Sequence, residues 1–245
     1  MLFEFDPFNF WHMSVVIGVL GILLGLSEIL GQRRAARRTK AIRELAVQHN
    51  LSFLGDKQCP KPDYPMFHLG TRQYTVNTIV AVRQRWEIQA GDYNYQVERI
   101  DREGRRQITE FNFSYCFAPL PDIRFPELIV RPEGAVDKVK AAAGFEDINF
   151  ESHQFSKKYY VQSPIRKFAS DVICPSMMEY LLERPGYTLH LNHSGLLITF
   201  GIEHRWKIDK FVPAVEFAAG VLERIPEHVY DTYKSSQTIP KPPGV

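Results

Sequence analysis

The sequence predicts an α+β protein, with one N-terminal transmembrane helix followed by a mostly antiparallel β-sheet domain that carries several short helices. Two observations lead to this fold class. The stretch from Ser14 to Leu26, near the start of the chain, has no charged residue. Beyond it, short stretches alternate apolar with polar residues, which is typical of strands that bury one face.

The apolar stretch over residues 10–31 is predicted to cross a membrane, because about 20 residues at about 1.5 Å each span the hydrocarbon layer. Trp11 suits one interface, and Glu28 lies close enough to the other end to reach the headgroups. A cleaved signal peptide would carry cations before the apolar stretch, whereas Glu4 and Asp6 precede this one. A buried core helix would not be apolar on all sides.

A basic segment follows the predicted span and predicts its orientation. No Lys or Arg precedes the span, and the cations that follow it are Arg33, Arg34, Arg37, Arg38, Lys40 and Arg43. Because cations stay on the cytoplasmic side, the N-terminus should lie outside and the C-terminal domain in the cytoplasm, as in a bacterial inner-membrane protein. Of these cations, we expect four to contact the lipid bilayer, namely Arg33, Arg34, Arg37 and Arg38.

Four segments are predicted along the chain. Residues 1–31 form the N-terminal segment and transmembrane helix, 32–50 a basic juxtamembrane helix, 51–234 a soluble α+β domain, and 235–245 a disordered tail. The formal net charge is +2, and the cations next to the span account for it, so the charge of the domain gives no reason to expect nucleic acid as a partner. The 3 cysteines have no close spacing, which argues against a disulfide framework.

Within the domain, alternation and turn residues predict two hairpins, over residues 93–117 and 187–200. Further strands are expected at 51–54, 74–82, 128–130 and 159–161, and an extended segment at 148–155. Helices are expected at 134–144, after Ser163-Pro164, from Pro175 to 182, and from Asp209 to Arg224.

Small residues recur on one face of the predicted span at a helical spacing. They are Ser14, Gly18, Gly21, Gly25 and Glu28, which follow each other by three or four residues. Small residues let two helices approach closely in lipid, so Gly18, Gly21 and Gly25 predict a homodimer. The alternative is that these glycines have no partner, since glycine is common in single spans.

The sequence predicts no catalytic, cofactor-binding or metal-binding residue, and no cofactor. His190 and His193 would point away from each other, because one is predicted on a strand and the other in a turn. Cys116 has no neighbouring histidine in the sequence, and Cys174 is expected to be a small buried group. Phosphate-binding glycine motifs are absent from the sequence.

Two groups of charged residues are candidate sites. Glu146, Asp147 and Glu151 could act as paired carboxylates, but the alternation around them favours a solvated strand face. The one basic patch of the domain surrounds the turn of the first hairpin and consists of Arg99, Arg102, Arg105 and Arg106. It could contact a phosphate or a membrane surface, and the alternative is a solvated hairpin tip relieved by nearby acids.

Several short motifs are shared with a known family. They include Gly91-Asp92-Tyr93-Asn94-Tyr95, Pro119-Leu120-Pro121, Val130-Arg131-Pro132-Glu133, Asp147-Ile148-Asn149-Phe150-Glu151 and Cys174-Pro175. With the N-terminal span and the basic helix, the chain resembles a family of bacterial membrane-anchored proteins of unknown function. The resemblance implies an inner-membrane setting and a cytosolic α+β domain. It implies no activity and no catalytic residue.

The sequence is consistent with two functions. The first is a single-pass membrane protein whose cytosolic domain is a non-catalytic binding or scaffold module. The alternative is a membrane-tethered enzyme of the hydrolase class, acting on a lipid or a membrane-proximal substrate. A deep pocket with perturbed histidines or carboxylates would favour the enzyme, whereas an exposed apolar patch would favour the module.

Overall fold

The structure, a computed structural model of the 245-residue chain, describes residues 7–56, 62–133, 148–200 and 205–235. Helix α1 (Pro7–Gln48) is one continuous helix of 42 residues. It therefore joins the predicted span and the predicted basic helix without a break. The helix ends where Asn50 adopts a left-handed backbone with φ of 54°, which lets the chain turn into the first strand.

Eight strands form one sheet in which every pairing is antiparallel. They are β1 (Ser52–Gly55), β2 (Thr71–Arg83), β3 (Trp86–Ile100), β4 (Arg106–Pro119), β5 (Leu128–Pro132), β6 (Tyr159–Gln162), β7 (Thr188–Asn192) and β8 (Gly195–Thr199). The spatial order is β1-β2-β3-β4-β8-β7-β5-β6. This confirms the predicted α+β class with an antiparallel sheet and both predicted hairpins.

Five shorter helices complete the described part of the chain. They are α2 (His153–Lys158), α3 (Arg166–Val172), α4 (Pro175–Glu183), α5 (Phe211–Arg224) and α6 (Glu227–Thr232). The predicted helices at Pro175 and before Arg224 are confirmed, although α5 begins at Phe211, after a 3₁₀ turn over Ile208–Lys210. The predicted helix over 134–144 and the predicted tail lie outside the described residues.

Both faces of the sheet are buried, because successive side chains of a strand point to opposite sides. Cys116 and Ala118 belong to the larger core, which the helices cover. Tyr115 and Phe117, which alternate with them, belong to a second core of aromatic rings on the other face. Phe67, in a 3₁₀ helix over Pro65–His68, packs against that second core and has no exposed surface. The sheet is therefore the middle layer of the domain.

Two local predictions were wrong, and both involve serine. The segment predicted as extended up to Phe155 ends in α2, because the Ser152 hydroxyl accepts a hydrogen bond from the Phe155 backbone N–H and caps a helix there. Ser163 was predicted to cap a helix, but its hydroxyl donates to the Glu127 carbonyl at 2.7 Å and α3 begins at Arg166. Its oxygen also accepts the Ile165 backbone N–H at 3.3 Å, and Ile165 is still extended with φ of −120°, so the serine lies before the helix and does not cap it.

Only the C-terminal part of α1 packs on the sheet. Ile42 and Ala46 have no exposed surface, and they lie one helical turn apart on the face that meets β1 and β2. Residues 18–19, 21–23 and 25–37 are exposed. The free part of α1 carries these exposed large apolar side chains: Val15, Val16, Val19, Ile22, Leu23, Leu26, Ile29 and Leu30.

Among the residues whose side chains are described, no helix has the length and apolarity that crossing a membrane requires. Side chains of the predicted span that lie outside this description are those of residues 10–14, 17, 20 and 24. The span over residues 10–31 therefore stays a prediction.

Candidate functional site

A buried ion pair attaches α1 to the sheet. Arg38 donates through Nε and Nη2 to the two carboxylate oxygens of Asp92, at 2.7 and 2.8 Å. The Asp92 side chain has no exposed surface, and that of Arg38 is 16% exposed. Two parallel hydrogen bonds between a guanidinium and a carboxylate fix both distance and orientation. We call Arg38 and Asp92 the clamp.

The clamp belongs to a wider polar cluster on the helix-covered face of the sheet. Asn77 donates to Asp92 Oδ2 at 2.9 Å, and Ser114 donates to Asp92 Oδ1 at 2.5 Å. Thr39, next to Arg38 on α1, donates to Asn77 Oδ1 at 2.7 Å. Each polar atom of the carboxylate thereby has several partners, which is what makes a buried charge tolerable.

The contact of Asn77 with Asp92 coincides with an irregularity in β2. The pairing register of β2 and β3 shifts between Val76 and Ile79, and Asn77 at this bulge has φ of 58°. A bulge places an extra residue in one strand and redirects its side chain. Here it directs the Asn77 amide onto the carboxylate.

Asp92 stays ionised in this environment. Burial by itself would raise the pKa of Asp92, but the hydrogen bonds and charge of Arg38, with the hydrogen bonds from Ser114 and Asn77, outweigh burial and hold the pKa below its usual value. The carboxylate is thus committed to structure. A carboxylate whose pKa is lowered and whose two oxygens both accept hydrogen bonds is poorly suited to general acid or base catalysis.

This geometry corrects the role predicted for Arg38. The guanidinium was expected at the lipid headgroups, but it contacts Asp92 and donates through Nη1 to the Trp206 carbonyl at 2.8 Å. Arg33, Arg34 and Arg37 are exposed on the free part of α1, so their contact with lipid stays a prediction.

A cleft of about 360 Å³ opens beside the clamp. Its lining is aromatic and cationic, with Tyr187, Phe200, Arg205, Trp206, Lys207 and Lys210. We call it the Trp206 cleft. Its volume falls in the lower part of the range of small-molecule sites, which runs from about 300 to about 1,000 Å³.

The aromatic wall of the Trp206 cleft is held by packing. The ring of Tyr187 stacks on Phe217 of α5 with centroids 4.3 Å apart, and it meets Phe200 edge-on at 5.8 Å. Phe200 lies so close to Gly186 that an added Cβ would stand 2.7 Å from its ring. Gly186 also has φ of 103°, so a residue without a Cβ is required there.

The cationic rim lies where α5 begins. Lys207 and Lys210 are exposed, and no carboxylate among the described residues lies within ion-pair distance of either. Lys210 is the N-cap residue of α5, and no side chain caps this end. A helix N-terminus is itself electropositive, so cations there add to the same field. The exposed Asp209 offsets part of this charge.

Trp206 connects the clamp to the cleft. Its carbonyl accepts from Arg38, and its backbone N–H donates to Ser114 Oγ at 2.9 Å. The Trp206 indole Nε1 is buried and has no hydrogen-bond partner among the described residues. An unpaired buried donor costs about 1–3 kcal/mol.

The clamp also sets the direction in which α1 leaves the domain. Arg43 lies over the ring of Phe53, which pairs with Ile79, whereas Arg38 reaches Asp92 further along β3. The free part of α1 therefore continues from the clamp toward the end of the sheet that carries the β3–β4 turn. From Arg38 to the end of the predicted span at Gly31 is about 10 Å along the helix.

A second cleft, of about 320 Å³, lies at the other end of β3. Arg85 lies over the rings of Trp86 and Tyr230, which stack with centroids 5.4 Å apart. Glu227 pairs with Arg85 at 3.1 Å. The side chains that line this cleft thus include both cations and anions, and the charges of Arg85 and Glu227 offset each other.

The histidines and cysteines considered as candidate site residues in the sequence do not lie together in the structure. His190 lies near the buried Tyr64, and burial lowers its pKa to about 4, whereas His193 faces Asp63 at 3.3 Å. Cys116 is buried, which raises its pKa, and its thiol faces the Ala214 carbonyl. These groups line neither cleft.

The other weighed groups also lie apart from the Trp206 cleft. Glu146 and Asp147 lie outside the described residues, and Glu151 is exposed. In the basic patch at the hairpin tip, Arg105 pairs with Asp101, and Arg106 pairs with Glu98. Among the described residues, no three His, Cys, Asp or Glu side chains are placed to hold a metal ion.

Sequence reasoning missed the residues that the structure brings together. Asp92 and Asn94 are both buried, although the sequence analysis assigned no functional role to either. One signal for Asp92 was present in the sequence, because this charged residue lies between Gly91 and Tyr93, in a strand that is otherwise rich in aromatic residues. A charge in such a place requires a partner of opposite charge.

The fold and the site together define a class: an antiparallel α+β domain carried by a long helix that it holds through a buried ion pair. A solved structure of similar fold is the mycobacterial trehalose monomycolate transport factor A, TtfA, with a TM-score of 0.52 and 9% sequence identity. The similarity covers 77% of this chain and 96% of that one. No family model and no curated protein matches the chain.

Proposed function

We propose that this protein is a membrane-anchored, non-catalytic lipid-binding protein whose domain lies at the cytoplasmic surface of a bacterial inner membrane. The observation that carries the proposal is the division of α1 into two parts. Its C-terminal part is clamped to the sheet by Arg38 and Asp92, and its free part exposes large apolar side chains. Such side chains are stable in hydrocarbon and costly in water.

Lipid is the ligand class that the Trp206 cleft favours. An aromatic wall with cations at the rim suits a molecule that is apolar at one end and anionic at the other. The similar fold belongs to a protein whose title names it a transport factor for trehalose monomycolate. That title supports a role in lipid handling, and transport by this chain is part of the same proposal.

The membrane part of the proposal is tested with paired substitutions on α1. Val19→Arg with Leu23→Arg places two charges in the predicted span, each at about 2.5–3.5 kcal/mol for insertion. Val47→Arg is the matched control, since Val47 is exposed on the same helix but lies beyond the clamp. Alkaline carbonate should release the double variant from membranes and leave the wild type and Val47→Arg in place. Release of the wild type would refute the anchor.

The lipid part is tested on the full chain purified in detergent. After exchange into a second detergent, the lipid that remains is extracted and quantified by mass spectrometry. We expect about one lipid per chain to survive the exchange. A chain that retains none, while its thermal unfolding is unchanged, would refute lipid binding.

A further inference from the structure

We infer that the Trp206 cleft binds a single-chain anionic amphiphile, with its acyl chain against the aromatic wall and its acidic group at the lysine rim. This inference rests on the proposed function and deepens it, because it names the site and the chemical class of the lipid. The cleft has the two halves that such a molecule needs. Tyr187, Phe200 and Trp206 form the apolar half, and Lys207 and Lys210 form the cationic half.

The apolar half stays open to the outside. The Phe200 side chain keeps 45% of its surface exposed although it contacts Tyr187 and Gly186. A large apolar side chain that is fixed by its neighbours and still exposed is a surface that a ligand can bury. Glycine at position 186 leaves room for this ring, because a Cβ there would lie 2.7 Å from it.

The cationic half requires an anion. Lys207 and Lys210 lie at the electropositive start of α5 without a carboxylate partner among the described residues. An acidic headgroup would therefore meet two cations and a helix N-terminus on the same side.

The position of the cleft favours a ligand that comes from the bilayer. The Trp206 carbonyl accepts a hydrogen bond from Arg38, and Arg38 lies about 10 Å along α1 from the end of the predicted span. The volume of about 360 Å³ is too small for a two-chain lipid with its headgroup and can hold part of one acyl chain. A fatty acid or a lysophospholipid has this chemistry.

Quenching of Trp206 fluorescence tests the inference. The full chain carries Trp11→Phe and Trp86→Phe, so that Trp206 remains the one tryptophan of the 3, and it is placed in phosphatidylcholine nanodiscs. The probe is dibrominated octadecanoate, whose bromines quench indole on contact, and its neutral methyl ester serves as the uncharged probe. We expect saturable quenching by the acid and a half-saturating mole fraction about tenfold higher for the ester.

Two variants on this background separate the halves of the cleft. Lys207→Ala with Lys210→Ala should raise the half-saturating mole fraction of the acid about tenfold and leave that of the ester unchanged, since each cation near a membrane contributes about 1 kcal/mol before screening. Phe200→Ala should raise both values about fivefold. The matched controls are Lys157→Ala with Lys158→Ala, two exposed lysines on α2, and Ile108→Ala, an exposed apolar residue of β4. Neither control should change the titration.

The outcomes separate this inference from the proposed function. If purified chain retains lipid but the acid does not quench Trp206, lipid binds elsewhere and the inference is wrong. If the ester quenches as well as the acid, the selection for an anion is wrong. If the lysine controls weaken quenching as much as Lys207→Ala with Lys210→Ala, surface charge alone explains binding, and the cleft assignment is overturned. Unchanged thermal unfolding confirms that each variant is folded.

Discussion

Asp92 is the residue on which the attachment of α1 depends. Its carboxylate accepts from Arg38, Asn77 and Ser114, so one side chain joins the helix, a bulged strand and the centre of the sheet. Buried ion pairs contribute little net stability when intact, but removing one partner leaves an uncompensated charge. The clamp therefore specifies where α1 lies more than it stabilises the fold.

Asp92→Asn should lower the free energy of unfolding by about 3 kcal/mol, because the buried Arg38 keeps its charge and loses its counterion. Glu98→Gln is the control, since Glu98 pairs with Arg106 at the exposed hairpin end and should change stability by less than about 1 kcal/mol. Urea unfolding of the full chain in detergent measures both. Equal effects of the two substitutions would contradict the role of the clamp.

The pH dependence of stability should report His190. Burial lowers its pKa to about 4, whereas an unfolded chain has the usual value near 6.5, so the unfolded state binds the proton first as pH falls. Stability from this group is present above about pH 6.5 and is lost as pH falls toward 4, by about 2 kcal/mol for a partly exposed ring. His190→Gln should remove this slope, and the exposed His153→Gln should not.

A further loss should follow below about pH 4. The pKa of Asp92 is lowered in the folded state, so its contribution is present above the unfolded value and disappears as pH falls through the folded one. The slope in this range should be smaller in Asp92→Asn. An unchanged slope there would show that Asp92 is not ionised in the fold.

At the level of elements, α1 belongs to two environments at once. Its face from Arg38 to Ala46 packs on the sheet, and its exposed apolar residues lie toward the N-terminus. A continuous helix transmits position and direction from one part to the other, because its backbone hydrogen bonds leave no hinge. The helix is therefore a rigid spacer between domain and bilayer in the proposed function.

Ile42→Ala should destabilise the domain by about 2–4 kcal/mol, because Ile42 has no exposed surface and the substitution leaves a cavity between α1 and the sheet. Val47→Ala, on the same helix but 73% exposed, should change stability by less than about 0.5 kcal/mol. Thermal unfolding of both variants provides the comparison. A mild effect of Ile42→Ala would mean that α1 is not part of the core.

The glycines on the free part of α1 remain a predicted dimer face. Gly18, Gly21 and Gly25 have open space where a Cβ would lie, within this one chain. The homodimer, and the contact of the three exposed arginines with lipid, both stay predictions, because a single chain shows neither partner. Crosslinking in native membranes addresses the dimer directly.

At the level of the whole molecule, the length of α1 should control how the Trp206 cleft reaches lipid. Seven alanines inserted after Arg34 lengthen the helix by about 10 Å and return nearly the same face, since seven residues make about two turns. Quenching of Trp206 by dibrominated octadecanoate in nanodiscs should fall, whereas quenching in detergent micelles should not. Equal losses in both would show damage to the cleft itself.

Much of the fold followed from local patterns. The hairpins over β3–β4 and β7–β8 were predictable, because alternation and a short turn specify a strand pair without help from the rest of the chain. The helix at Pro175 was also predictable from local sequence, because proline is favoured in the first turn of a helix. At Ser163 the local pattern placed the helix start too early, because Ile165 after it is still extended and the serine bonds the Ile165 N–H and the distant Glu127 carbonyl instead of capping the helix.

The candidate site could not be predicted in this way. Arg38 lies 54 residues from Asp92 and 168 from Trp206. No local sequence pattern around any of these residues indicates that they contact each other. The sequence by itself determined most of the strands and helices and the apolar N-terminal stretch, because periodicity acts over a few residues. Only the tertiary structure decided that one arginine of the basic segment enters the sheet and that a cleft lies beside it. Burial of a charge depends on which distant groups the chain brings within hydrogen-bond distance.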